Sequence, residues 1–122
     1  MTDKERNLIK GAIRRVFSRS ETRCKVLNSS IIEHVDVERP RVKKWGRCES
    51  CQKIEALYQL EVDHKVPVVP KESSLKEMSW DTLVNNVFCD ESNLAVICKF
   101  CHRQKSKEEN KKRREFKKCL SK

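Results

Sequence analysis

Residues 94–105 read LAVICKFCHRQK, and the fold follows from this stretch. Leu94-Ala95-Val96-Ile97 is a short apolar run of strand character that enters a C-x-x-C pair, Cys98-Lys99-Phe100-Cys101. From Cys101 to about Lys118 the pattern is helical, with Glu and Lys at spacings that suit an exposed helix. A matching pair, Cys48-Glu49-Ser50-Cys51, lies upstream. Two such knuckles bring four thiolates to a tetrahedral zinc ion, with Zn–S about 2.3 Å. The 46 residues between Cys51 and Cys98 exceed a compact ribbon, so something must fold between the knuckles. The cysteines number seven, an odd count that argues against a disulfide framework. Cys24, Cys89 and Cys119 are left as free thiols, and Cys89, following Val87-Phe88, is expected to pack.

A metal is wanted because the core is small. Of 122 residues, 37% are hydrophobic and 38% charged, against roughly half and a quarter in ordinary soluble domains. A structural metal supplies folding free energy that so polar a chain lacks in buried area. With 2 Gly and 3 Pro, the chain is neither a flexible linker nor a turn-rich β-sandwich. No apolar run approaches the roughly 20 residues of a membrane span. The first residues, MTDKERNLIKGAIRRVF, lack a signal-peptide core, so an intracellular protein is expected.

Charge is unevenly placed. Residues 1–47 carry a net +7, residues 48–98 a net −5 and residues 99–122 a net +8, for +10 overall. Basic arms suit a polyanion, because each neutralised phosphate releases counterions. A central excess of carboxylates suits a cation. Arg14, Arg15, Arg19 and Arg23 either line DNA or form a solvated helix face, and their pattern admits both readings.

Along the chain, Leu8, Ile9, Ala12, Ile13, Val16 and Phe17 predict an amphipathic helix over 4–17, and a weaker one over 21–28. Residues 29–44 alternate apolar and polar before a basic turn at Pro40. Residues 54–63, IEALYQLEVD, predict one strand, ended by Pro67 and Pro70. Residues 71–79 predict a polar loop, 80–88 a helix through Trp80, Leu83, Val84, Val87 and Phe88, and 90–92 a turn. Trp45 and Trp80 read as packing residues, and His34 as a surface residue.

Between and beside the knuckles, Asp63-His64 ends a strand, Asn93 lies on a turn and His102 opens a helix. With both C-x-x-C pairs, this order resembles the HNH family of ββα-metal (His-Me finger) nucleases, in its zinc-containing form. Residues 80–94 and the following ICKFCH are similar to small bacteriophage-encoded HNH homing endonucleases. The resemblance covers residues 45–105, about half the chain. It implies a small α+β domain: a basic N-terminal helical arm over 1–44, a zinc-stabilised nuclease core over 45–108 and a basic C-terminal helix over 109–122.

Phosphodiester hydrolysis needs an activated water, a neutralised phosphate and a stabilised leaving oxygen. A neutral imidazole can accept the water's proton near pH 7, and a divalent ion can neutralise the developing charge. Neighbours on a strand point to opposite faces, so Asp63 can bind metal while His64 faces the water. The resemblance implies His64 as general base, Asp63 and His102 as ligands of a catalytic Mg²⁺ or Mn²⁺, and Asn93 as the residue that fixes the loop and orients His64. It also implies Lys105 or Arg103 on the scissile phosphate, and products with 5′-phosphate and 3′-hydroxyl ends. Some members carry a further His one turn after the first on this helix; here that position is Ser106. His102 as a zinc ligand is a weaker reading, since four cysteines already complete the tetrahedron.

The expected partner is duplex DNA, with no membrane. A homodimer would supply paired nicks, and a phage packaging or replication partner is a further expectation. The competing function is a non-catalytic zinc ribbon that only binds nucleic acid. An RNase is a third reading.

Overall fold

A computed structural model of the chain describes residues 1–70 and 72–120. Lys71, which opens the expected polar loop, and Ser121 and Lys122 of the expected C-terminal tail lie outside the described residues. The architecture is α+β. In chain order the elements are α1 (Asp3–Phe17), α2 (Glu21–Ser29), β1 (Ile31–Ile32), β2 (Trp45–Arg47), β3 (Ile54–Ala56), β4 (Leu60–His64), α3 (Trp80–Val87), β5 (Leu94–Cys98) and α4 (Lys99–Leu120). The strands make two small antiparallel sheets, β1-β2-β3 and β4-β5. No helix among the described residues is long and apolar enough to cross a membrane.

Local chemistry fixes the helix starts. Thr2 caps α1 in a reciprocal box: its hydroxyl accepts from the Glu5 N–H at 3.1 Å, and the Glu5 carboxylate accepts from the Thr2 N–H at 2.8 Å. Ser20 and Ser79 cap α2 and α3 in the same one-sided way, each hydroxyl accepting from the N–H three residues on. The helix expected from Cys101 starts two residues earlier, at Lys99, so β5 runs into α4 without a loop.

The single strand expected over 54–63 is two strands. A 3₁₀ turn at Leu57–Gln59 separates β3 from β4. Alternation continues across the turn, with Ala56 and Leu60 buried, but the hydrogen-bonding partner changes from β2 to β5. The expected loop over 71–79 contains a second 3₁₀ turn, Leu75–Glu77.

Two apolar clusters form the core. One gathers Phe17, Val68, Val69, Leu83, Val87 and Leu94. The other gathers Leu60, Val96 and Ile97 around Cys48 and Cys98. Val62 of β4 packs against both. Phe17 therefore ties α1 into the same core as α3 and β5. Trp45 is buried and Cys89 half-buried against the first cluster, as expected; Trp80 is more open, at the head of α3. His34 is exposed, with its ring edge-on to Trp45 at 4.7 Å.

The first knuckle is the turn between β2 and β3. Gly46 precedes it for a steric reason: a Cβ there would stand 2.6 Å from Leu60 Cδ1 and 3.1 Å from the Ser30 carbonyl oxygen. The knuckle docks on the outer edge of β5. The Glu49 N–H donates to the Val96 carbonyl at 2.9 Å, and the Glu49 carboxylate accepts from the Val96 N–H. This pairing brings Cys48 and Cys51 to the end of β5, where Cys98 closes the strand and Cys101 lies in the first turn of α4.

Candidate functional site

The ligand atoms of Cys48, Cys51, Cys98 and Cys101 lie within 4.8 Å of one another. A zinc tetrahedron with 2.3 Å bonds has edges of about 3.8 Å, and Cys51 Sγ stands 3.9 Å from Cys98 Sγ. That separation is far from a disulfide bond of about 2.05 Å. The four thiols thus fit a structural zinc ion, and His102 is not one of the set.

The backbone is arranged for thiolates. N–H groups point at sulfur from Cys51 to Cys48 (3.4 Å), Cys98 to Cys48 (3.3 Å) and Cys101 to Cys98 (3.5 Å). Burial pushes the Cys48 thiol up, but the N–H groups of Cys51, Cys98 and Ser50 outweigh it and bring it down to about 7. The Cys101 thiol is pushed up to about 12, chiefly by its hydrogen bond with the Cys98 sulfur and then by burial. A dication bound among the four sulfurs favours the deprotonated form of all of them.

The second cluster is built on β4. Alternation sends Glu61 and Asp63 toward α4, and Val62 and His64 toward the core and α3. His102 lies one turn into α4. Its Nδ1 faces the Glu61 carboxylate, and its Nε2 lies 3.5 Å from Asp63 Oδ1. Lys105 follows three residues later. Its ammonium contacts the Asp63 carboxylate, donates to the His64 carbonyl at 2.6 Å and stands 3.6 Å from Glu109. The Asp63 side chain is only 15% exposed, so this neutralisation weighs more than a surface pair would.

His64 is held by groups the sequence reading did not name. Its Nε2 is 2.7 Å from the carbonyl oxygen of Val87. That oxygen ends α3, where carbonyls have no partner within the helix. A carbonyl only accepts, so Nε2 carries the hydrogen and Nδ1 is the free lone pair of the neutral ring. The other wall is Phe17, whose ring centroid is 5.1 Å from that of the imidazole.

Asn93 bonds to the loop after β4, and its side chain makes no hydrogen bond to His64. Its Oδ1 accepts from the Val66 N–H at 3.1 Å, and its carbonyl accepts from the Lys65 N–H at 2.8 Å. The physical reason is that Val87 already takes the ring hydrogen of His64. Asn93 instead pins the backbone just past the β4–β5 pairing of His64 with Leu94.

Asp63, His64, His102, Lys105 and Ser106 line one cleft of about 230 Å³. Lys10 and Arg14 of α1 and Arg113, further along α4, line it too. Of the basic residues singled out from the sequence, Arg14 and Lys105 face this cleft. Arg15, Arg19 and Arg103 are exposed and do not line it. Glu61, Phe17, Lys10 and Arg113 are the residues the sequence reading missed. Glu61 was findable, since it shares a strand face with Asp63. Lys10 lies seven residues before Phe17, and Arg113 eleven after His102, so both fall on the stripes that face the cleft. Searches of family models, of curated proteins and of solved structures each return no match to this chain.

Proposed function

We propose that the chain is a metal-dependent DNA endonuclease of the HNH, ββα-metal type. In this reading β4, β5 and α4 are the ββα core and the four cysteines hold its structural zinc. One observation carries it: the adjacent pair Asp63-His64 and the distant His102 share one cleft. A protein that only binds nucleic acid has no use for that set.

The donors of a second metal site are Asp63 Oδ1 and His102 Nε2. Adjacent ligands about 2.1 Å from one ion stand about 3 Å apart, so their 3.5 Å separation fits with a small adjustment. Glu61 supports the assignment. A carboxylate at Nδ1 holds the hydrogen there and leaves Nε2 free to coordinate. Mg²⁺ or Mn²⁺ bound there supplies charge neutralisation at the phosphate and at the leaving 3′ oxygen. His64 Nδ1 takes the proton of the attacking water. The Val87 carbonyl at Nε2 stabilises the imidazolium that results. The water oxygen bonds to phosphorus as the P–O3′ bond breaks, and the departing 3′ oxygen takes a proton from solvent, giving 5′-phosphate and 3′-hydroxyl ends. Lys105 is the cation that meets the reacting phosphate, Arg14 meets the strand in the same cleft, and Arg15, Arg19 and Arg103 contact DNA outside it.

With one such site per chain, a monomer nicks, and a homodimer is needed to cut both strands. A role in homing or genome packaging in an infected bacterial cell fits that activity. A second reading, a zinc ribbon that binds nucleic acid without cutting it, is favoured by one contact. Lys105 already neutralises Asp63 without any divalent ion. Incubating the zinc-loaded protein with duplex DNA, single-stranded DNA and RNA, in Mg²⁺ or Mn²⁺ against EDTA, separates the two. Metal-dependent cleavage of duplex DNA is expected. Binding without cleavage in either metal would favour the ribbon, and cleavage confined to RNA would replace the substrate.

A further inference from the structure

We propose that Lys10, Arg14 and Arg113 form an anion site in the wall of the Asp63–His64 cleft, taking a backbone phosphodiester of the bound strand next to the one that reacts. The adjacency rests on the nuclease reading; the anion site does not.

Two helices from opposite ends of the chain build it. Phe17 docks α1 against His64. Arg14 and Lys10 lie three and seven residues earlier, so they sit on the same helical stripe and overhang the cleft. Arg113 lies eleven residues after His102, three turns along the stripe of α4 that faces β4. Its guanidinium is anchored by one bond, from a terminal nitrogen to the Val69 carbonyl at 2.8 Å, and its Nε is buried without a partner. The remaining donors are not committed within the described residues.

The charges are unbalanced. None of the three makes an ion pair among the described residues. Two carboxylates, Asp63 and Glu109, line the same cleft, but Lys105 stands between them and contacts both. Burial, with Arg14 and Arg113 beside it, holds the Lys10 ammonium below the ordinary lysine range. A solvated basic face would not place a half-buried lysine against two arginines. A phosphate relieves that repulsion, and arginine forks match its geometry.

The test measures binding of a labelled DNA duplex in EDTA across a salt series, so no cleavage intervenes. The cleft variant is K10Q/R14Q/R113Q, with K10Q/R14Q as a second that keeps the Arg113–Val69 bond. The comparator, K111Q/R114Q/K117Q, removes the same charge from α4 outside the cleft. Zinc content and melting temperature check the fold. Each lost phosphate contact lowers the slope of log K against log salt by about 0.9. Both cleft variants should lose about one unit of slope and at least tenfold in affinity at low salt, clearly more than the comparator. Cleft variants that match the comparator in slope and affinity would overturn the site. If the wild type never cuts but the cleft variants lose binding, the nuclease reading fails and the anion site stands. If the wild type cuts and the cleft variants bind like the comparator, the anion site alone fails.

Discussion

Phe17→Ala tests whether α1 belongs to the candidate site or is a dispensable arm. Phe17 is 6% exposed and sits in a cluster with Val68, Val69, Leu83, Val87 and Leu94. Its ring also meets Phe88 edge-on at 5.4 Å and His64 at 5.1 Å. Truncating a buried phenylalanine costs about 3–5 kcal/mol, from lost transfer and the cavity left behind. For a chain of 122 residues, unfolding entropy near 60 °C is about 0.26 kcal/mol per degree, so the melting temperature should fall by about 12–20 °C. Phe17→Leu keeps most of the buried volume and should lose roughly a third as much. The functional prediction is separate. At a temperature where the variant is still folded, cleavage should fall at least tenfold, because His64 loses a wall and α1 loses its anchor over the cleft. Thermal unfolding by circular dichroism and single-turnover cleavage are the assays. A melting shift under about 3 °C, or unchanged cleavage in a clearly destabilised but folded variant, would refute the argument.

Three further outcomes are expected. Cys98→Ser should cut bound zinc well below one per chain and remove the cooperative thermal transition. Zinc affinities of about 10–16 kcal/mol rival the whole stability of a small domain, and two members of the second core cluster, Cys48 and Cys98, belong to the four-cysteine set that fits zinc; retained zinc and an unchanged transition would refute this. Glu61→Gln should weaken Mn²⁺ binding by 10- to 100-fold without loss of zinc, measured by titration calorimetry; equal Mn²⁺ affinity would remove Glu61 from the site. Asn93→Ala frees the Val66 N–H and should cost about 1 kcal/mol while reducing cleavage only partly; complete loss of cleavage with stability intact would mean that Asn93 acts more directly.

The features legible in the sequence are those set by neighbours in the chain. The two C-x-x-C pairs, the periodicity that gives α1 and α3, and the passage of β5 into a helix all depend on spacing within a few residues. The break at Leu57–Gln59 did not show, because alternation persists while the pairing partner changes from β2 to β5. The partner of His64 did not show either. Val87 is 23 residues away, and what it offers is a carbonyl at a helix end, a group every residue carries. Lys10 and Arg113 were hidden among 28 basic residues, and only the packing of α1 and α4 around one cleft separates them from solvated lysines. Asn93 stood out on its turn, but the N–H it binds depends on the path taken after β4.

The most direct measurement compares wild type and His64→Ala on supercoiled plasmid with Mg²⁺ or Mn²⁺, both proteins carrying about one zinc per chain and binding DNA equally. The nuclease account predicts nicking by the wild type, abolished by EDTA and by the substitution. Equal nicking by His64→Ala would contradict His64 as the base, and no nicking by wild type in either metal would contradict the endonuclease itself.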